Sequence, residues 1–226
     1  MNRKTNHDFV VLATHRVMIR GLTDNKMTTK LSKAERTRQF IIETTAGIFN
    51  TKGYAGTSLN DLTDATGLTK GSIYGNFENK EEVALAAFDY NLSKVKGRIQ
   101  QHLDQANTYS QKLLVYSDVY RTFFRIPFIQ GGCPILNTAV EADDTNNLLK
   151  DRAAKALQQW KKGIIDLIKA GVASGEFKED VEPERIALSM IALIEGGIMI
   201  AQATNMPTSL DKVLKTVELL IEQLKK

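Results

Sequence analysis

A single cysteine in 226 residues rules out a disulfide within the chain and fits a reducing cytoplasm. Four prolines leave few helix breakers. The three histidines, His7, His15 and His102, are scattered, and no His/Cys/carboxylate group has metal-ligand spacing. One cysteine without a placed histidine makes no nucleophile–base pair. Glycine-rich phosphate loops of the Walker or Rossmann form are missing. No strand pattern competes anywhere, and no repeat of solenoid period is evident. The reading is therefore of a non-enzyme with no catalytic residues, no metal and no cofactor. A secretory signal is also missing: the apolar run Phe9–Ala13 is too short and lacks a cleavage pattern. The longest apolar stretch, residues 186–203, is at the short limit for a membrane span and carries Glu195 at its middle. It reads as a buried bundle helix, and no membrane partner is expected.

What is present is ordinary for a soluble globular chain, with 42% apolar and 25% charged residues. The net charge of +4 is unevenly placed. Residues 1–80 hold 12 basic and 7 acidic residues, net +5, whereas residues 81–226 are net −1. Such an asymmetry would serve counterion release from a nucleic-acid duplex; chance clustering of solvated charge is the alternative. Residues 1–26 show no steady period. Residues 1–30 read as an N-terminal extension, either a leader upstream of a start at Met27 or a flexible basic arm reaching phosphates or the minor groove.

Residues 57–80, TSLNDLTDATGLTKGSIYGNFENK, carry the most information. Thr57 and Ser58 are N-cap residues, with Asp61 three positions after Ser58. Leu59, Leu62 and Ala65 or Thr66 follow helical spacing. Gly67 stands where a tight turn needs positive φ, and Leu68 is the apolar plug of that turn. Thr69 caps a second short helix, with Ile73 and Phe77 inward and Lys70, Gly71, Ser72 and Tyr74 outward. Asn79 and Glu82 form another capping-box pattern. Two short helices around a glycine turn are the helix-turn-helix signature, in which the second helix meets base edges in the major groove. Hydroxyls of Thr69, Ser72 and Tyr74, the charge of Lys70 and the bare backbone of Gly71 suit that surface.

The run Gly53-Tyr54, Thr57-Ser58, Asp61-Leu62, Gly67-Leu68, Thr69–Tyr74, Phe77 and Lys80-Glu81 resembles the DNA-binding domain of TetR-family transcriptional regulators, over residues 33–85. Asn76 departs from the histidine frequent in the family's Tyr-x-His-Phe pattern, although its amide can still donate to a phosphate. The resemblance implies an Ω-shaped homodimer on a double-stranded DNA operator and a variable ligand-binding and dimerisation domain. It also implies DNA contacts from Thr57 or Ser58, Thr69, Lys70, Ser72, Tyr74 and Lys80. The expected organisation is all-α: residues 31–80 as the DNA-binding head and 81–226 as a helical ligand and dimer body.

For the body, a stripe of Leu149, Ala153, Ala156, Leu157, Trp160, Ile164 and Ile168 predicts a long amphipathic helix. Leu210, Val213, Leu214, Val217, Leu220, Ile221 and Leu224 predict another. The last two helices would pair across a two-fold axis, with Ile191, Glu195, Ile198, Val213, Val217 and Leu220 at the seam and Gly196 and Gly197 allowing close approach. Phe123, Phe124, Phe128, Trp160, Met190, Ile194 and Met199 are expected walls of a small-molecule inducer site, with Cys133, Asn137, Glu141 or Glu195 nearby; each is also ordinary core. Cys133, placed before a helix start, is alternatively an electrophile or redox sensor, since a helix N-terminus lowers a thiol pKa. A helical ligand-binding module without DNA binding is the remaining alternative.

Overall fold

The computed structural model describes residues 31–125 and 128–226. The expectations for residues 1–30 lie outside the described residues. Ser32–Lys226 form one compact unit. Among the described residues nine helices follow in order: α1 (Lys33–Gly56), α2 (Leu59–Thr66), α3 (Lys70–Tyr74), α4 (Lys80–Leu103), α5 (Tyr109–Arg121), α6 (Pro134–Ala142), α7 (Asn147–Ala173), α8 (Pro183–Thr204) and α9 (Pro207–Glu222). The expected all-α class holds; the described residues contain one isolated bridge, Phe177 with Lys225, and no strand.

Local chemistry starts the first four helices. Ser32 accepts from Glu35 N at 3.2 Å while Glu35 returns the bond to Ser32 N, and Ser58 and Asp61 repeat the arrangement. Thr69 accepts from Ser72 N and Asn79 from Glu82 N. These oxygens satisfy N–H groups that a helix start leaves open. The box expected at Asn79 is half made, because Glu82 accepts from Glu78 N and Arg38 instead. α1 breaks direction at Gly53, whose φ of 73° is in the left-handed region.

Two apolar clusters result. Ile41, Phe49, Leu62, Ile73 and Phe77 form the smaller one, closed by Val83, Ala84 and Ala87 from the start of α4. Further along α4, Phe88, Leu92 and Val95 enter the larger cluster of α5, α7, α8 and α9. One helix therefore serves both, and each fully buried Leu or Ile contributes about 1.5–3 kcal/mol. The α7 stripe is buried as its spacing predicts, with Leu157 half-buried. α8 is long and apolar enough to cross a membrane by composition alone, yet Met190, Ile194 and Ile198 pack inside this unit. A Cβ on Gly197 would lie 2.9 Å from Leu210 and 3.3 Å from Val213. Gly197 thus serves the approach of α9 within the protomer, while its neighbour Gly196 has open space above it.

Candidate nucleic-acid interface and body cavity

The turn from α2 to α3 is made as its residues dictate. Gly67 adopts φ 66° and donates its N–H to Thr63 O at 2.8 Å. Leu68 packs half-buried on the small cluster. Ile73 and Phe77 face fully inward, so the opposite side of α3 is fixed outward. Thr69, Lys70 and Gly71 are exposed there, with Ser72 and Tyr74 half-buried at the rim and Ser58 exposed at the start of α2. The Lys70 ammonium sits 6.0 Å from the Tyr74 ring centroid. A Cβ on Gly71 would meet nothing nearer than Thr69 Oγ1 at 4.0 Å. The fold has no steric need for glycine there, and glycine costs a helix about 1 kcal/mol relative to alanine. A bare backbone at that cost suits close approach by something outside the protomer.

Three residues expected to touch DNA are engaged elsewhere. Thr57 is 0% exposed and donates its hydroxyl to Gly53 O at 2.5 Å, so Ser58, not Thr57, is the outward member of that pair. Asn76 donates its amide to Ser72 O at 2.9 Å, closing the end of α3. Lys80 donates to Tyr54 O and Thr57 O, both at 2.8 Å, and lies 4.2 Å from the Tyr54 ring centroid. It ties the start of α4 to the last carbonyls of α1, where a cation is favourable. Sequence reasoning missed Arg38. Its guanidinium donates to Asn76 O and to Glu82 Oε1, and lies 3.9 Å from the Phe77 ring centroid. No local pattern couples residues 38, 76 and 82. The Glu78 N–H, then Arg38, hold the Glu82 carboxyl below its ordinary pKa. Lys52, bonded to Asp61 at 2.5 Å, and then Ser58 do the same for Asp61.

Most of the basic excess of residues 1–80 precedes the head. Residues 1–30 carry 6 basic and 2 acidic residues, and residues 31–80 carry 6 and 5. Lys70 is the one basic residue within α2 and α3.

A cavity of about 360 Å³ lies between α4, α5 and α7. Leu92, Val95, Ile99 and Leu103 line it from α4, Tyr116 and Tyr120 from α5, Ile135 from α6, and Trp160 and Leu167 from α7. Tyr120 and Trp160 stack with centroids 5.1 Å apart. At its exposed rim Lys96 donates to Gln159 Oε1 at 2.7 Å. Tyr120 also lies beside Cys133, the N-cap residue of α6. Cys133 in turn donates to Glu195 Oε1 of α8 at 2.9 Å. Burial pushes the Glu195 carboxyl up to about 7, partly opposed by the bond from Cys133. Farther along α6, Asn137 donates to Asn50 O at 3.0 Å, and the Glu141 carboxylate accepts from Tyr54 N and Ala55 N, both at 2.8 Å. A Cβ on Gly53 would reach within 2.4 Å of that carboxylate. α6 thus touches the cavity at one end and the break in α1 at the other.

This arrangement has known counterparts. Residues 41–87 match the family described as bacterial regulatory proteins, tetR family, and residues 110–217 match the tetracyclin repressor-like C-terminal domain. A TetR-family transcriptional regulator from Cytophaga hutchinsonii is 52% identical, with 87% of this chain and 98% of that chain covered and a TM-score of 0.83. The chain belongs to the TetR family. It is a DNA-binding transcriptional regulator and not an enzyme. A TetR regulator from Chloroflexus aurantiacus is 39% identical over 86% of this chain and 98% of that one, with a TM-score of 0.82. The transcriptional repressor DhaR of Mycobacterium sp. (strain GP1) is 27% identical over 183 residues, covering 80% of this chain and 89% of the relative.

Within this TetR-family body most residues expected to line a ligand site lie outside this cavity. Trp160 lines the cavity, but Phe123, Phe124, Phe128, Cys133, Asn137, Met190, Ile194 and Met199 do not. Phe123 packs between Tyr120 and Phe128 at 4.7 and 5.0 Å, Met190 and Ile194 fill the inside of α8, and Met199 is exposed. Cys133 does not suit a reactive sensor. The Ile135 and Leu136 N–H groups do lower its thiol pKa, but burial, followed by the nearby Glu195, carries it well above the ordinary value. Most residues expected at a dimer seam are likewise engaged within the protomer. Ile191, Glu195, Ile198 and Val217 are buried inside the protomer, and Val213 and Leu220 are half-buried. Leu188, Met199, Ile200, Met206 and Leu219 are the apolar side chains left outward there, 41–62% exposed.

Proposed function

We propose that the protein is a cytoplasmic repressor that binds a palindromic operator as a homodimer and leaves it when a small molecule occupies the cavity. Residues 31–80 would read DNA, and residues 81–226 would bind the ligand and the second copy. The observation that carries the reading is the outward side of α3: Thr69, Lys70, Ser72 and Tyr74 around a glycine that the fold does not need. With Ser58 they would meet phosphates and base edges in one major groove. One five-residue helix reads few base pairs, so two copies on a two-fold site supply the remaining affinity and specificity. The outward apolar side chains Leu188, Met199, Ile200 and Leu219 are the surface that the second copy would cover. The repressing sign extends to this chain what the name of the Mycobacterium relative says of that protein.

Release would follow from geometry. α4 lines the cavity with Leu92, Val95 and Ile99 and packs its first turns into the small cluster. α6 adds Ile135 to the cavity wall and Glu141 to the break in α1. A ligand favouring one arrangement of these two helices would favour one spacing of the two heads. It shifts the equilibrium only by its difference in affinity between the two forms. Footprinting of DNA upstream of the protein's own gene tests this. Two protected half-sites about one helical turn apart, or a multiple of it, are expected. Protection of a single half-site, unchanged in Met199→Glu, would remove the dimeric reading.

A further inference from the structure

We propose that the cavity takes an amphipathic organic monoanion, its apolar body against the aromatic wall and its carboxylate at the rim. This rests on the cavity being the effector site. The lining contains no acidic side chain, and Lys96 is its only charged residue. Lys96 is exposed at the rim, with Gln100 and Gln159 beside it, and its bond to Gln159 leaves the amide nitrogen of Gln159 as a further donor. A carboxylate there gains an ammonium and an amide N–H. A cationic ligand would face Lys96 without any lining carboxylate to offset the repulsion. Deeper in, every wall is aliphatic or aromatic apart from the hydroxyls of Tyr116 and Tyr120 and the indole N–H of Trp160, which has no hydrogen-bond partner. Burial raises both tyrosine pKa values, that of Tyr116 to about 12, so neither adds negative charge near neutrality. The Tyr120–Trp160 stack offers a flat surface to an aryl group. At about 360 Å³ the space falls in the range of sites for small ligands.

Trp160 is the chain's one tryptophan and forms part of the wall, so intrinsic fluorescence reports on this cavity. The full chain is titrated with phenylhexanoate, phenylhexanamide and phenylhexylammonium at neutral pH. The acid is expected to bind about fivefold tighter than the amide, in keeping with a partly exposed ion pair, with the ammonium weakest. In Lys96→Met the acid-to-amide ratio should fall to about one; Lys96 is exposed, so the fold tolerates the change. Equal binding of acid and ammonium, an acid-to-amide ratio that survives in Lys96→Met, or no saturable change with any of the three overturns the proposal. Operator release is read in parallel by anisotropy of labelled DNA. Acid that binds with the expected preference yet never releases DNA sinks the effector role and leaves the ligand class standing.

Discussion

The first four helices and the later ones begin differently. α1 to α4 each start on a serine, threonine or asparagine whose side chain accepts a first-turn N–H. In the body α5 and α7 follow that rule, but α6, α8 and α9 start on Cys133, Glu182 and Met206 with no side-chain cap and a proline in the first turn. Helices of eight and five residues, α2 and α3, bury too little to form without local help. α8 and α9 bury whole apolar stripes and need less. Capping oxygens place the outward side of α3, whereas burial builds the helices around the cavity.

The contrast can be broken by substitution. Ile164→Ala, at a fully buried site of the body, should cost about 2–5 kcal/mol in denaturant unfolding, since it removes apolar contact and leaves a cavity. Next in size is a pH effect at Glu195. Its folded carboxyl pKa of about 7 stands above the ordinary 4.5, so the native state holds a proton that the unfolded chain releases. Stability should therefore fall as pH rises from about 4.5 through 7, by up to about 3 kcal/mol, and level off above. Unfolding midpoints at pH 5 and pH 8 measure it, and Glu195→Gln should flatten the slope. An unchanged slope in that variant would mean that another group titrates.

On the head side, Ser58→Ala should cost about 1 kcal/mol by removing the α2 cap. A loss as large as that of Ile164→Ala would end the distinction between the two regions. The smallest expected effect has the opposite sign. Gly71→Ala should stabilise the fold by a few tenths to about 1 kcal/mol while weakening operator binding, because the added methyl meets open space in the protomer and DNA outside it.

The same division explains what the sequence reveals. Ser58, Gly67, Thr69 and Ile73 act within one or two turns of themselves, so residues 57–80 were readable as two capped helices around a turn. The α7 stripe was readable for the same reason, as a period along one helix. Arg38 was not, because its partners Asn76, Phe77 and Glu82 lie about forty residues away and meet it only through packing. The cavity wall failed likewise. Apolarity marks Phe123, Met190 and Ile194 as inward-facing, but nothing in a single helix says that α4 and α7 leave space beside Trp160. Cys133 shows two local rules in competition, helix start against burial, and the burial set by α8 decides. On α8 the period was visible but not its phase, so Ile191 and Ile198 were expected outward where Leu188 and Met199 are found.

The central claim is that the outer side of α3 reads DNA. Its most direct test compares operator affinities of the wild type, Lys70→Ala and Tyr74→Phe, each first confirmed to keep its association state and unfolding midpoint. The account predicts about a tenfold loss for Lys70→Ala, with a shallower salt dependence, and a smaller loss for Tyr74→Phe. Undiminished affinity in both variants would contradict it.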